Sequence, residues 1–363
     1  MKKSEFEEAT TASLSTTTLL RPGAARLEDI AARVGVSRSE VSRVLNNRQR
    51  EGRSVGRAKQ EEIWRVAREL NYQPHRTAQN LARGRTDTVG LVVRLDSTRE
   101  LTPHYHEIVG ALTYTLNEWG LNLLLVQCDV EDPAPCLEKL ARARTCDAVI
   151  LTDMQVDDPR PTLLEELGQS FIIRGSAPRP GLTAVGMDNF AVGYKAVEFL
   201  RRFGHRRILF HNIGRGFMAG KGRYEGFQSA AKEFGLLDDV RYEEEVYREE
   251  DMYNLTRRLM REPNPPTAIF AADEMAAFGV FRGLADAGVR VPEDVSVLTC
   301  LNARFMRRVN PRMSVINVRQ EEVASEAGRT LARMLRGEPV EARQTFLTPI
   351  LEEHGSCAPP SRD

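Results

Sequence analysis

Residues 26–46 read RLEDIAARVGVSRSEVSRVLN, and the spacing of their apolar side chains decides the fold of the N-terminal part. Leu27, Ile30, Ala31 and Val34 recur at i, i+3, i+4 and i+7, one stripe of a helix. Gly35 suits the positive φ of a turn, and Ser37 is an N-cap candidate for a second helix with Val41, Val44 and Leu45 on its apolar face. Small Ala31 and branched Val41 fit the crossing of two helices that larger side chains would hold apart. The other face of the second helix carries Arg38, Ser39, Ser42, Arg43 and Asn46. This is the pattern of a helix-turn-helix, whose second helix enters the DNA major groove. Arg38 and Arg43 are candidate bidentate readers of guanine, and Ser37, Ser39, Ser42 and Asn46 candidate partners of phosphates or base edges. A merely solvated helix face is the plainer reading, and spacing, cap, turn glycine and local charge together oppose it.

Working outward, the chain has 363 residues, 41% hydrophobic and 28% charged, more than one compact core usually serves. The formal net charge is zero, but its distribution is uneven. Residues 21–87 hold 15 Lys/Arg against 8 Asp/Glu, net +7, while residues 88–363 hold 34 against 40, net −6. A basic segment ahead of an acidic body implies a polyanionic partner for the segment alone. Residues 1–25 are rich in Ser and Thr without apolar periodicity and are expected to form a disordered extension. The polar, basic stretch 47–54 reads as a loop, and Ile63, Val66, Ala67 and Leu70 as the stripe of a third helix ended by Tyr72 and Pro74.

From Val89 the pattern changes. Apolar runs of strand length (VGLVV, LNLLLV, DAVIL, SFIIR, RILFH, TAIFA, VSVLT) alternate with amphipathic stretches such as Tyr105–Trp119, Ala191–Phe203, Met275–Ala287 and Val323–Leu335. Near-continuous apolar strands alternating with helices mean parallel sheets covered on both faces, and the length implies two lobes. No apolar run approaches the roughly 18 residues of a membrane span, and residues 1–20 lack the apolar core of a signal peptide, so a cytoplasmic protein is expected. Cys128, Cys136, Cys146, Cys300 and Cys357 form no CxxC pair and read as small buried hydrophobes in a reducing compartment, with no metal site.

The enzyme reading rests on Gly214-x-Gly216-x-x-Ala219 after a predicted strand, an approximate dinucleotide fingerprint. As a phosphate loop it fails, because Gly222 follows Lys221 where a Ser or Thr is needed for Mg²⁺. His205, His211 and His354 are scattered, and no catalytic residues or cofactor are assigned. The acidic run Glu243–Glu245 reads as a solvated strand edge or turn.

RLEDIAARVGVSRSEVSRVLN, NYQPHRTAQNLARGRTDTVGLVV, FGHRRI, VPEDVSV and VRQ, in that order, closely resemble the lactose-repressor (LacI/GalR) family of bacterial transcription regulators. The resemblance covers residue 26 to about 356. It implies a small all-α helix-turn-helix domain over 26–73, a hinge helix over 74–87, and over 88–356 a two-lobed α/β body like a periplasmic binding protein, with 357–363 a flexible tail. It implies a homodimer on double-stranded operator DNA, a small-molecule effector between the lobes, and a repressor whose affinity the effector modulates. An effector-independent regulator would share all these residues. The hinge leucine that wedges into the minor groove matches Leu81, with Ala78 beside it, and Tyr72 and His75 fall among the DNA-side positions. His75 stands where the family commonly has Asn, and Gly56 where a Ser usually caps the third helix. On the effector side the resemblance points to His104, Tyr105, Arg223, Phe227, Asp273 and Leu301. Ala272 replaces a frequent Asn, and Leu301 replaces the first carboxylate of an acidic pair. An ordinary neutral sugar thereby loses an acceptor, and a sugar-like or anionic effector is expected.

Overall fold

The computed structural model describes residues 25–45, 55–72, 84–93, 103–129, 132–244, 246, 248–301, 308–341 and 343–361, with only the backbone of 103 and 104. The chain divides after Arg85 into two compact units. In the first, α1 (Leu27–Val34), α2 (Arg38–Leu45) and α3 (Arg57–Glu69) enclose a core of Ile30, Val34, Val41, Val44, Leu45, Ile63 and Val66. Gly35 ends α1 at φ 72°, and its N–H donates to the Ala31 carbonyl at 2.9 Å. A side chain there would force an L-residue into the left-handed region, so the turn needs its glycine.

The second unit begins where Asp147 grips the chain. Its carboxylate accepts from the amides of Thr86 at 2.7 Å and Asp87 at 2.8 Å. Lobe 1 is a six-stranded sheet in the order β11-β5-β4-β3-β1-β2, and lobe 2 a sheet in the order β12-β10-β9-β8-β6-β7. The strands of lobe 1 are β1 (Thr88–Val93), β2 (Asn122–Gln127), β3 (Ala148–Leu151), β4 (Ser170–Arg174), β5 (Ala184–Met187) and β11 (Gln344–Leu347). Those of lobe 2 are β6 (Ile208–Asn212), β7 (Val240–Glu244), β8 (Ala268–Ala271), β9 (Ser296–Cys300), β10 (Ser314–Asn317) and β12 (Ile350–Glu352). All pairs are parallel except β10 with β12. The helices are α4 (Pro103–Glu118), α5 (Ala134–Arg142), α6 (Arg160–Glu166), α7 (Asn189–Arg202), α8 (Met218–Glu233), α9 (Glu249–Leu259), α10 (Glu274–Asp286) and α11 (Gln320–Leu335). Three crossings, after β5, after β10 and between β11 and β12, carry the chain from one lobe to the other.

All seven apolar runs form strands, and the acidic run ends the edge strand β7. Two expectations need correction. The tail begins later than residue 357: Cys357 is buried, and the Ala358 carbonyl accepts from His205 Nε2 and Ser296 Oγ, each at 2.9 Å. Cys146, Cys300 and Cys357 are free and buried as expected, but Cys128, just after β2, and Cys136, in α5, form a disulfide. Their eight-residue separation carries no motif, and only the fold, which sets the residue after β2 against α5, brings them together.

Helices α7 and α8 cross through glycines. A Cβ at Gly193 would lie 1.9 Å from the Arg223 carbonyl oxygen, and one at Gly226 2.0 Å from that of Phe190. Gly193→Ala is therefore expected to destabilise the body by at least the 1 to 3 kcal/mol typical of overpacking, roughly. Gly110→Ala, on α4 with nothing within 4 Å of its added methyl, is expected to raise the melting temperature, as replacement of a helical glycine does. Thermal unfolding of both variants checks the pair.

Candidate DNA-reading helix and effector cleft

In the first unit Ser37 and Glu40 close a capping box. Glu40 Oε2 accepts from the Ser37 amide at 2.8 Å and its hydroxyl at 2.6 Å, while the Glu40 amide donates to Ser37 Oγ at 3.2 Å. These bonds hold the Glu40 carboxyl below its ordinary range. Ser37 thus engages its hydroxyl in starting α2. Ser39 and Arg38 are exposed, and Ser42 and Arg43 half-buried, all on one helix. Arg43 Nε donates to the Ser39 carbonyl at 3.3 Å, and Arg38 Nε pairs with Glu28 of α1 at 3.0 Å. That pair is exposed on both sides, worth at most about 1 kcal/mol, and is easily given up to a base. Tyr72 is half-buried against the three-helix core. Asn46, His75, Ala78 and Leu81 lie outside the described residues.

In the body, the parallel strands of both lobes end in buried polar groups, the place where open α/β sheets bind ligands. Lobe 1 contributes Tyr105, whose hydroxyl donates to Asp153 Oδ2 and lies 2.9 Å from Thr152 Oγ1. Asp153 follows β3 at φ 49°, an unusual backbone for a residue with a side chain. Arg160 holds it there. Buried at 7% exposure, Arg160 donates to the carbonyls of Thr152 at 2.9 Å and Asp153 at 3.2 Å, and to both oxygens of Asp158. Burial alone would raise the Asp158 pKa, but the bonds and charge of Arg160 outweigh it and leave the carboxyl below its ordinary value. Arg174 ends β4 next to this turn, 6% exposed.

Lobe 2 contributes Arg223 from α8. The glycine crossing sets it beside the start of α7, so that Nε donates to Asn189 Oδ1 at 3.2 Å and Nη1 to the Ala272 carbonyl at 3.1 Å. Asp273 caps α10, accepting from the Ala276 amide at 2.8 Å. Glu274 follows, 2% exposed. Burial, reinforced by the charges of Asp273 and Glu107, pushes its carboxyl up to about 8, so it is protonated at neutral pH. His211 is held neutral by burial, Nε2 donating to the Val246 carbonyl at 3.0 Å and Nδ1 accepting from the Ala272 amide. Leu301, directly after β9, is buried at φ 71°.

Tyr105, Arg223, Asp273 and Leu301 therefore gather at the strand ends that the resemblance implied, and His104 falls in the first turn of α4. Phe227 is a correction. One helical turn beyond Arg223, its ring packs 4.3 Å from that of Phe210 in the lobe 2 core, where burying an aromatic ring outweighs exposing it to a ligand. Sequence reasoning missed Asp153, Arg160, Arg174, Asn189 and Glu274. Arg174 had a usable signal: an arginine closing an apolar parallel strand sits at the carboxyl edge by topology alone. The glycine run before α8 is structural, since Gly214 has φ 85° and a Cβ at Gly220 would lie 1.8 Å from the Gly214 carbonyl oxygen.

The lobes touch beside this edge. The Val156 amide donates to the Gly216 carbonyl and the Met218 amide to the Met154 carbonyl, both at 2.9 Å. A groove of about 590 Å³ opens there, lined by Gln155, Asp157, Arg215, Lys221, Tyr224 and Glu225. None of the effector residues expected from sequence lines it.

Two opposed pH effects follow. Glu274 binds its proton more tightly folded, about 8, than at its ordinary 4.5, so stability falls as pH rises through that window. The pKa values of His205 and His211 are depressed by burial from 6.5, so stability falls as pH drops below that value. Melting curves from pH 5 to 9 are expected to be domed, with Glu274→Gln flattening the alkaline limb only. Parallel curves for the two proteins would contradict the burial of an ionisable Glu274.

Residues 26–75 match the family model of bacterial regulatory proteins of the lacI family, and residues 197–357 that of a periplasmic binding protein-like domain. The HTH-type transcriptional regulator CelR of Thermobifida fusca is 31% identical over 335 residues, 90% of this chain and 96% of its own length. The HTH-type transcriptional repressor PurR of Erwinia tasmaniensis is 28% identical over 348 residues, 93% of this chain and 99% of its own. A solved CelR–cellobiose complex aligns with TM-score 0.67 at 29% identity, covering 92% of this chain and 99% of the other. The lac repressor dimer bound to operator and the anti-inducer ONPF shares the fold, with TM-score 0.80 at 19% identity over 93% of this chain and all of the other. No described helix is long and apolar enough to cross a membrane. With a helix-turn-helix unit ahead of a two-lobed binding body, and relatives that are regulators rather than enzymes, the chain belongs to the LacI family of bacterial transcription regulators.

Proposed function

We propose that the protein is a repressor that binds a pseudo-palindromic operator as a homodimer, with an affinity set by a small effector held between the lobes of its body. The observation that carries this reading is α2, fixed at its start by the Ser37–Glu40 box and buried through Val41, Val44 and Leu45, with Arg38, Ser39, Ser42 and Arg43 left on its outer face. Arg38 and Arg43 read bases, Ser39 and Ser42 meet phosphates or base edges, and Ser37 acts through the cap. Asn46, Tyr72, His75 and Ala78 complete the DNA side, and Leu81 wedges into the minor groove at the operator centre.

One such helix covers too few base pairs for genomic specificity, and a two-fold pair reads an inverted repeat. Tyr114, 70% exposed on α4, and Leu125, 44% exposed on the edge strand β2, offer lobe 1 an apolar surface for the second copy. Tyr105, Arg223, Asp273 and Leu301 line the effector cleft, and the relative solved with cellobiose supports a sugar-like ligand. Effector and operator then act by linkage, each altering the other's affinity by the same factor.

Selection of duplexes from a random pool by the full-length protein, at two salt concentrations, is expected to recover an inverted repeat of fixed spacing. Enrichment of an asymmetric motif would remove the dimeric reader. On the recovered site, Arg38→Ala is expected to relax one half-site position by about 1 to 3 kcal/mol, while Arg50→Ala weakens all sequences alike and flattens the salt slope. Leu81→Ala is expected to lower affinity at every sequence that is bent, with the body still folded.

A further inference from the structure

Three arginines are buried among the described residues of the body, and two of them are satisfied: Arg160 by Asp158 and two carbonyls, Arg223 by Asn189 and the Ala272 carbonyl. The third, Arg174, has no hydrogen-bond partner for Nε or Nη2 among the described residues. The charge of Asp153 acts on it, but Oδ2 of that carboxylate accepts from the Tyr105 hydroxyl and its backbone is clamped by Arg160. A guanidinium remains charged when buried, and leaving its donors unpaired costs far more than leaving a neutral group so. A site that keeps such a group at the carboxyl edge of a sheet is built for something that arrives from outside.

Lobe 2 has a counterpart. Glu274 Oε1 is buried without a partner at the start of α10. Its carboxyl feels the charge of Glu107 on α4 of lobe 1, which sets it within electrostatic reach of the lobe 1 edge. One edge thus presents two unpaired donors on a cation and the other an unpaired carboxyl oxygen.

We infer that the effector is an acidic sugar, a polyhydroxylated molecule with a single carboxylate, which accepts the Nε and Nη2 hydrogens of Arg174 as a planar fork while a hydroxyl hydrogen-bonds with Glu274 Oε1. The inference rests on the effector-cleft reading above and specifies its ligand. A neutral sugar offers Arg174 hydroxyl acceptors but leaves its charge uncompensated. A phosphate dianion brings more charge than one unpaired guanidinium offsets beside Asp153 and Asp273. A carboxylate matches both the geometry and the charge. With Glu274 protonated, the facing edge does not repel that anion.

The test is calorimetric titration of the full-length protein with the aldonic and uronic acids of glucose, galactose and xylose, each beside its neutral parent sugar, with operator affinity followed in parallel. At least one acid is expected to bind about tenfold or more tighter than its parent. Arg174→Met is expected to erase that ratio and, by removing an uncompensated buried charge, to raise the melting temperature of the unliganded protein. Arg174→Lys, which keeps the charge but not the fork, is expected to retain part of the preference. A fall in unliganded stability in Arg174→Met, or an unchanged acid-to-parent ratio, overturns the inference. A neutral parent that binds best and moves operator affinity overturns it alone and leaves the cleft reading standing. Silence of the whole panel, with operator affinity unmoved, overturns it and counts against the cleft reading as well.

Discussion

The body depends on the contact that Arg223 makes across three elements. Its guanidinium ties the start of α7 through Asn189 to the end of β8 through the Ala272 carbonyl. The same carbonyl accepts from Cys300 Sγ at 2.8 Å, and the Ala272 amide meets His211, so β6, β8 and β9 end on one residue. None of this is possible unless α7 and α8 approach to backbone contact, which the absence of side chains at Gly193 and Gly226 allows. A packing constraint between helices thus fixes where the charges at the cleft edge stand.

Much of this order was legible because burial on both faces leaves a parallel strand little choice but to be apolar. The runs from Val89–Val93 to Val295–Thr299 announce themselves in that way. Strands β5, β10, β11 and β12 did not, being placed by the crossings between lobes rather than by an apolar run of their own. In the first unit, the N-cap at Ser37 and the turn at Gly35 were readable because both obey local rules. The cleft was readable only in part. Family position placed Arg223 and Tyr105, yet it also nominated Phe227, whose ring packs against Phe210 in the core. Arg174 and Glu274 looked like the end of a strand and the start of a helix, which they are. What makes them functional candidates is the lack of a partner in three dimensions, and a sequence does not display unmade bonds.

The two lobes are already in contact beside the cleft through the amides of Val156 and Met218. Parting them would cost those two hydrogen bonds, each worth about 1 kcal/mol net, and on the cleft reading proposed above would open Arg174 and Glu274 to water. Closure without a ligand therefore sets modest backbone bonds against the burial of an unpaired cation and an acid held protonated. Those terms oppose one another, which is the condition for an equilibrium that a ligand can shift. A molecule that satisfies both edges at once favours the closed form by the interactions it makes only there, and a molecule that binds both forms equally shifts nothing. On the function proposed above, selectivity and switching share one physical origin: the groups that would discriminate among ligands are the same ones whose unmet bonds oppose closure.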